Sequence, residues 1–327
     1  MIHKCTPIYI LVKALLRRDS KKNILLYLCC FIAYLFALDN VPQGVRVMEV
    51  DVTIFEMGPR DGLQNESNFI NTSDKIKLVN LLSNSGIRKI ETASFVSSRW
   101  VPQMADGEEV MAGIQRKSDV AFTALTPNEK GLERAIKAKA DEIAVFGSAS
   151  EGFSKANINK SVIESLQTFR PIVKAAPMPV RGYISCITDC PYDGPTNPAE
   201  VIKVAEELLD MGCYEISLGD TLGSANPTST EKLLSELLSV FKTKDLAVHF
   251  HDTQGKAIEN INVSLDFGIS TFDSSIAGLG GCPYAPGAKG NVSTEAVIEF
   301  LESKGLRTGV EREKIKEASE FARSLRR

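Results

Sequence analysis

The sequence predicts an α/β fold, a (β/α)8 TIM barrel with a C-terminal extra helix, and three observations predict it. From Val52 onward, short apolar runs of β character alternate with amphipathic segments of helical period, eight of each. Helix-end signals punctuate the alternation: Asn197-Pro198, Asn226-Pro227 and Ser293-x-Glu295 open helical segments, and Gly86, Gly212 and Gly268 close them. Polar residues ill suited to a core (Arg60, Asp61, Glu91, Asp220, His249 and His251) fall in the strand runs near their ends or in the loops after them, where such barrels build their active sites. An open doubly wound sheet would share the alternation, but no Gly-x-Gly-x-x-Gly fingerprint follows the first run.

Taken in order, strand run 52–57 precedes helical segment 72–85, which stops at Gly86. Run 89–93 leads to segment 107–115, run 120–125 to 128–138, and run 142–146 to 159–175. Run 180–186 leads to the Pro-initiated segment 198–211, and run 214–218 to 227–241, again Pro-initiated. Run 247–251 leads to 254–267, closed by Gly268, and run 271–276 to the capped segment 293–301. Residues 305–327 interleave acids and bases with apolar positions and read as the extra surface helix.

Hydrophobic residues make up 43% of the 327 residues and charged residues 24%, the balance of a folded globular chain rather than a disordered one or a coiled coil. With 38 Lys+Arg against 41 Asp+Glu, the net charge of -3 supplies no general attraction to nucleic acid or anionic lipid, so no nucleic-acid partner is expected. The 7 cysteines are odd in number, scattered and without a CxxC pair, which excludes a disulfide scaffold and points to reduced thiols. Cys186, Cys190 and Cys213 read as structural.

Residues 1–22 hold six basic residues and one acid, followed by the apolar run 24–38. This order is that of export signals, anchors and organelle-targeting segments. Fifteen helical residues reach only about 22 Å, short of the ~30 Å hydrocarbon core, and no clean A-x-A cleavage site follows. The favoured reading is a non-native extension upstream of a start near Met48, which divides the chain into a 1–47 extension and a 48–327 barrel domain. A cytoplasmic location is expected, with no membrane association unless the apolar segment is retained.

His249-Phe250-His251 puts two imidazoles on one face of a strand, in a chain with 3 histidines in all. Metal ligation is the favoured reading over a hydrogen-bonded core pair, and Asp252 turns to the other face as a support. Gly58-Pro59-Arg60-Asp61-Gly62 is either an ordinary turn or a functional one. In the second case Asp61 completes the histidine group and Arg60 neutralises charge developing on a substrate oxygen. A mixed imidazole and oxygen site with open positions suits Mg2+ or Mn2+ better than structural zinc. Residues 278–291 carry five glycines in fourteen positions and read as a mobile lid that brings in the Cys282 thiol, which would otherwise be a small buried hydrophobe. Asn291 either caps the next helix or offers its amide oxygen as a fourth ligand. Glu91 and Asp220 point into the same mouth as bases or hydrogen-bond supports, or else form buried ion pairs. Trp100 follows the second strand run at the rim, where packing is the safer reading.

From about Val52 to Val310 the chain resembles the 3-hydroxy-3-methylglutaryl-CoA lyase family, barrel metallolyases related to homocitrate and isopropylmalate synthases. The resemblance rests on GPRDGLQNE (58–66), ETASFVS (91–97), WVPQMAD (100–106), RGYISC (181–186), MGCYEISLGDTLG (211–223), AVHFHDT (247–253) and AGLGGCPYAPGAKGN (277–291), the last separating lyases from synthases. It implies metal-dependent, retro-Claisen cleavage of 3-hydroxy-3-methylglutaryl-CoA to acetyl-CoA and acetoacetate, as in leucine degradation and ketone-body formation. It also implies a divalent cation, Mg2+ or Mn2+, on Asp61, His249, His251 and Asn291. Arg60 would contact substrate and Cys282 would take part in catalysis; apart from the resemblance, Asp61, Glu91 and Asp220 are further catalytic candidates from their positions at the strand ends. The implied partner is a small-molecule acyl-CoA, and the chain is expected to be a homo-oligomer, a dimer. The alternatives are a lyase for a longer 3-hydroxy-3-alkylglutaryl-CoA, which residues around Phe95 and Trp100 would permit, and a noncatalytic barrel scaffold. Retention of Arg60, Asp61, both histidines, Cys282 and Asn291 argues against the scaffold.

Overall fold

Strand Thr53–Glu56 (β1) pairs on one side with the second strand and on the other with the last, and that double pairing closes the sheet. The structure is a computed structural model, described over residues 51–280 and 290–326. The next strands are Lys89–Ser94 (β2), Ala121–Leu125 (β3), Glu142–Ser148 (β4) and Val180–Ser185 (β5). A short antiparallel hairpin, Asp189–Cys190 (β6) and Gly194–Pro195 (β7), precedes Ile216–Asp220 (β8), Leu246–Phe250 (β9) and Thr271–Ser274 (β10). The closed order is β1-β10-β9-β8-β5-β4-β3-β2, parallel throughout, and each predicted run lies within two residues of its strand. Parallel neighbours need a crossover between them. The helices supply it: Thr72–Asn84 (α1), Gly107–Gly113 (α2), Glu129–Lys137 (α3), Glu151–Ile158 (α4), Val162–Ala175 (α5), Pro198–Met211 (α6), Pro227–Leu237 (α7), Ala257–Asp266 (α8) and Thr294–Ser303 (α9). The extra helix is Arg312–Ser324 (α10), which packs on α1.

Local chemistry explains the boundaries. The side chains of Asn128, Ser150, Ser161, Asn197, Asn226 and Ser293 each accept an otherwise unpaired N–H at the start of a helix. The segment expected at 159–175 begins at Val162, because Ser161 and Glu164 form a capping box and Asn159 takes a left-handed conformation at φ 54°. The preceding turns form α4, which the sequence reading missed. Segment 254–267 starts at Ala257 and segment 227–241 stops at Leu237. The 305–327 helix shortens to Arg312–Ser324. Trp100, expected to pack, is 83% exposed.

Strand alternation sorts the side chains into two shells. Ile54, Ile90, Phe122, Ile143, Ile184, Leu218, Val248 and Phe272 are buried in the core between the strands and the helices. Inside the barrel, Phe55, Met57, Leu125, Ala144 and Tyr183 form a smaller cluster shared with ions. Arg181, 1% exposed, donates to both Asp273 oxygens at 2.8 and 2.9 Å and to Glu215 at 2.7 Å, and its guanidinium lies 4.2 Å from the Phe55 ring centroid. Ser217 adds a bond to Asp273 at 2.7 Å. The buried interior tolerates these charges because they are paired and hydrogen-bonded.

Candidate active site

β1 runs into a single π-type turn, Gly58–Gly62, with Pro59 in its first turn, where a missing N–H costs nothing. The turn buries Arg60. Its Nη1 donates to Asp61 Oδ1 at 2.7 Å, its Nε donates to Glu91 Oε2, and its guanidinium lies 6.0 Å from the Tyr183 ring centroid. Fully buried Glu91 also accepts the Tyr183 hydroxyl at 3.1 Å. Glu91 therefore takes the ion-pair role among those expected of it, and its partner is Arg60. Burial works against the Arg60 charge, but the Glu91 and Asp61 carboxylates outweigh it and hold the pKa above the ordinary value. The guanidinium is a fixed cation.

Asp61, His249 and His251 come together so that one potential ligand atom from each lies within 4.8 Å of the other two. The two imidazole centroids are 5.4 Å apart. His249 Nδ1 faces Asp273 Oδ2 at 3.3 Å, which fixes the orientation of the ring. Burial lowers the His249 pKa, yet the carboxylates of Asp273 and Asp61 raise it overall. Burial and the neighbouring His249 push His251 down to about 4, against the pull of Asp61 and the Thr221 carbonyl. Asp61 is raised by burial but drawn down to about 2 by Arg60 and the two imidazoles. An ionised carboxylate thus sits beside a neutral His251, whose buried Nδ1 has no hydrogen-bond partner of ordinary geometry among the described residues. Anionic oxygen and imidazole nitrogen at this spacing fit a divalent cation.

Asn291 reaches the group because residues 290–292 run along the end of β9. Val292 N–H donates to Phe250 O at 3.1 Å, and Asn291 forms a bridge with His251. Its amide nitrogen donates to Asp61 Oδ2 at 2.7 Å and to Leu279 O at 3.2 Å. Helix capping falls instead to Ser293. Gly280, at φ 92°, approaches so closely that a Cβ there would lie 2.7 Å from Asn291 Nδ2, so the close approach requires glycine. Cys282 and most of the expected lid lie outside the described residues.

Asp220 is not in the metal group. Its Oδ2 accepts Ala225 N–H at 3.1 Å and its Oδ1 accepts Ser224 N–H at 3.2 Å, which folds the chain after β8 into a tight turn. Burial pushes its pKa up to about 6 from 3.8, against those amides. A raised folded-state pKa contributes stability that is full below the unfolded value near 3.8 and is lost as pH rises through about 6. The stability margin of the parent over Asp220→Asn is expected to narrow by on the order of 2–3 kcal/mol between pH 4 and pH 7.5, measured by denaturant titration. A pH-independent margin would contradict the shift. Asp252 accepts Ala257 N–H at 3.2 Å at the start of α8, the supporting role expected of it. Cys186, Cys190 and Cys213 are buried free thiols, and burial pushes Cys186 and Cys213 up to about 12.

The sequence reading missed Tyr183, Arg181 and Asp273, which brace Glu91 and His249 from inside the barrel. Their one visible signal was charge at Arg181 and Asp273 within apolar strand runs.

Residues 51–322 match the HMGL-like family. The chain is 52% identical over 277 residues to the cytoplasmic 3-hydroxy-3-methylglutaryl-CoA lyase of Danio rerio, covering 84% of this chain and 83% of that protein. It is 51% identical over 288 residues to the mitochondrial hydroxymethylglutaryl-CoA lyase of Homo sapiens, covering 87% and 86%. The crystal structure of the HMG-CoA lyase from Brucella melitensis superposes with a TM-score of 0.83 at 52% identity, covering 84% of this chain and 98% of that one. The carboxyl transferase domain of Rhizobium etli pyruvate carboxylase, at 18% identity and TM-score 0.66, shares the fold. The family match, the barrel and the relatives agree, and the chain belongs to the HMGL-like family of 3-hydroxy-3-methylglutaryl-CoA lyases.

Proposed function

We propose that this chain cleaves 3-hydroxy-3-methylglutaryl-CoA to acetyl-CoA and acetoacetate, with Mg2+ or Mn2+ as the metal. The observation that carries the reading is the convergence of Arg60 with the Asp61, His249 and His251 group at one end of the barrel. Relatives named for this reaction, at about half identity over most of their length, support it.

The reaction removes a proton from a tertiary alcohol, breaks a carbon–carbon bond, and protonates the thioester enolate left behind. Asp61, His249, His251 and Asn291 would hold a divalent cation, which when bound lowers the pKa of a coordinated hydroxyl. Arg60 stabilises negative charge on the thioester oxygen, and Glu91 and Tyr183 fix its position so that no reorganisation is needed during the step. Asp273 orients the His249 ring. Cys282 delivers the proton to the enolate carbon, which requires the reduced thiol.

We further propose that residues 1–47 are dispensable, since the family match begins at residue 51, and that the protein is cytoplasmic, as are relatives such as that of Danio rerio. Relatives named mitochondrial match equally well. Among the described residues no helix is long and apolar enough to cross a membrane. The test is to incubate the full chain and residues 48–327 with 3-hydroxy-3-methylglutaryl-CoA, reductant and Mn2+. Equal turnover by both is expected. Activity confined to the full chain would overturn the dispensable extension, and no product from either would overturn the substrate.

A further inference from the structure

Glu56, the last residue of β1, is fully buried and has no part in the chemistry above. Its Oε1 accepts the N–H of Gly58 at 2.7 Å and that of Ile276 at 2.8 Å, and its Oε2 accepts the Thr294 hydroxyl at 2.6 Å. Thr294 Oγ1 in turn lies 2.8 Å from Ser274 Oγ. These three donors open three different segments. Gly58 begins the turn that carries Arg60 and Asp61. Ile276 begins the turn leading to Leu279 and Gly280, whose carbonyls accept the side-chain and backbone N–H of Asn291. Thr294 starts α9, three residues beyond Asn291.

Each of these partners is a neutral donor, and the nearby carboxylate of Glu295 repels. A buried carboxylate without a countercharge is costly, and here burial pushes the carboxyl up to about 7. Its geometry offers a reason for its presence, since one group with two acceptor oxygens reaches all three segments. The approach is close enough that a Cβ on Gly58 would lie 2.6 Å from Oε1 and 2.8 Å from Ile276 Cγ2.

We propose that Glu56 is a positioning residue that locks the Arg60–Asp61 turn to the Asn291 segment, and thereby sets how tightly the site holds a divalent cation and how fast it turns over. The turnover part rests on the lyase reading; the metal part does not. Glutamine would serve in the same place. Its amide oxygen would accept the two backbone N–H groups, and its NH2 would donate to Thr294 Oγ1, whose own proton would turn to Ser274.

The test measures Mn2+ affinity by calorimetry, turnover of 3-hydroxy-3-methylglutaryl-CoA and thermal melting in the full chain carrying Glu56→Ala or Glu56→Gln. Glu56→Ala is expected to weaken Mn2+ binding about 10–100-fold and to cut turnover comparably, with Glu56→Gln restoring both to within about threefold. A folded Glu56→Ala protein with a lower Tm but parental Mn2+ affinity would reduce Glu56 to a structural role and overturn the proposal. If Glu56→Ala does not fold, Thr294→Val removes a single donor. Weakened Mn2+ binding rescued by Thr294→Ser supports the lock, and unchanged binding overturns it. A parent that binds Mn2+ yet leaves the thioester intact would sink the lyase reading while the affinity comparison still decides the role of Glu56.

Discussion

Arg60→Gln is expected to lower turnover by about 10²–10³-fold, the usual cost of removing a fixed donor from a developing oxyanion. The same change breaks a buried pair. Glu91 is fully buried, and without the guanidinium its remaining side-chain partner among the described residues is the Tyr183 hydroxyl, which costs about 3–5 kcal/mol of stability if the carboxylate stays charged. Turnover and stability therefore fall together in the single variant, and a second change separates them. In Arg60→Gln/Glu91→Gln two neutral amides face each other, so the melting temperature should recover while turnover stays low. Recovery of both would mean that Arg60 acts only as a structural partner of Glu91.

His249→Ala is expected to lose both the metal and more than about 10³-fold in turnover, because the three-residue group falls to two and the charge stabilisation a cation supplies is worth several kcal/mol. Cys282→Ala should separate the two losses. A proton donor contributes about 10²–10⁴-fold to rate and nothing to cation binding, so turnover should drop while Mn2+ affinity remains parental. Equal metal loss in the two variants, read by Mn2+ titration, would contradict the assigned roles.

Much of this was legible in the sequence because the relevant signals are local. Alternation marked every barrel strand, and Asn197, Asn226, Ser293 and Gly212 marked helix ends through bonds formed within a few residues. The i, i+2 spacing of His249 and His251 put both rings on one face without knowledge of the fold. What was missed depends on distant pairing. Arg181 and Asp273 are 92 residues apart, and Glu56 and Thr294 are 238 apart. No local pattern links such residues, and each looked like an isolated polar substitution in a strand or an ordinary helix start. The partners of Asp220 were hidden for a related reason. Its position at the end of β8 suggested chemistry, but the amides of its own turn take both oxygens.

The central claim, metal-dependent cleavage of this thioester by the Asp61, His249 and His251 site, is tested most directly by stripping the purified chain with chelator and assaying it before and after Mn2+ is returned. Equal amounts of acetyl-CoA and acetoacetate should form only after Mn2+ is added, and not in His249→Ala at the same Mn2+ concentration. Undiminished cleavage by the stripped chain, or no cleavage by a folded chain shown to hold Mn2+, would contradict it.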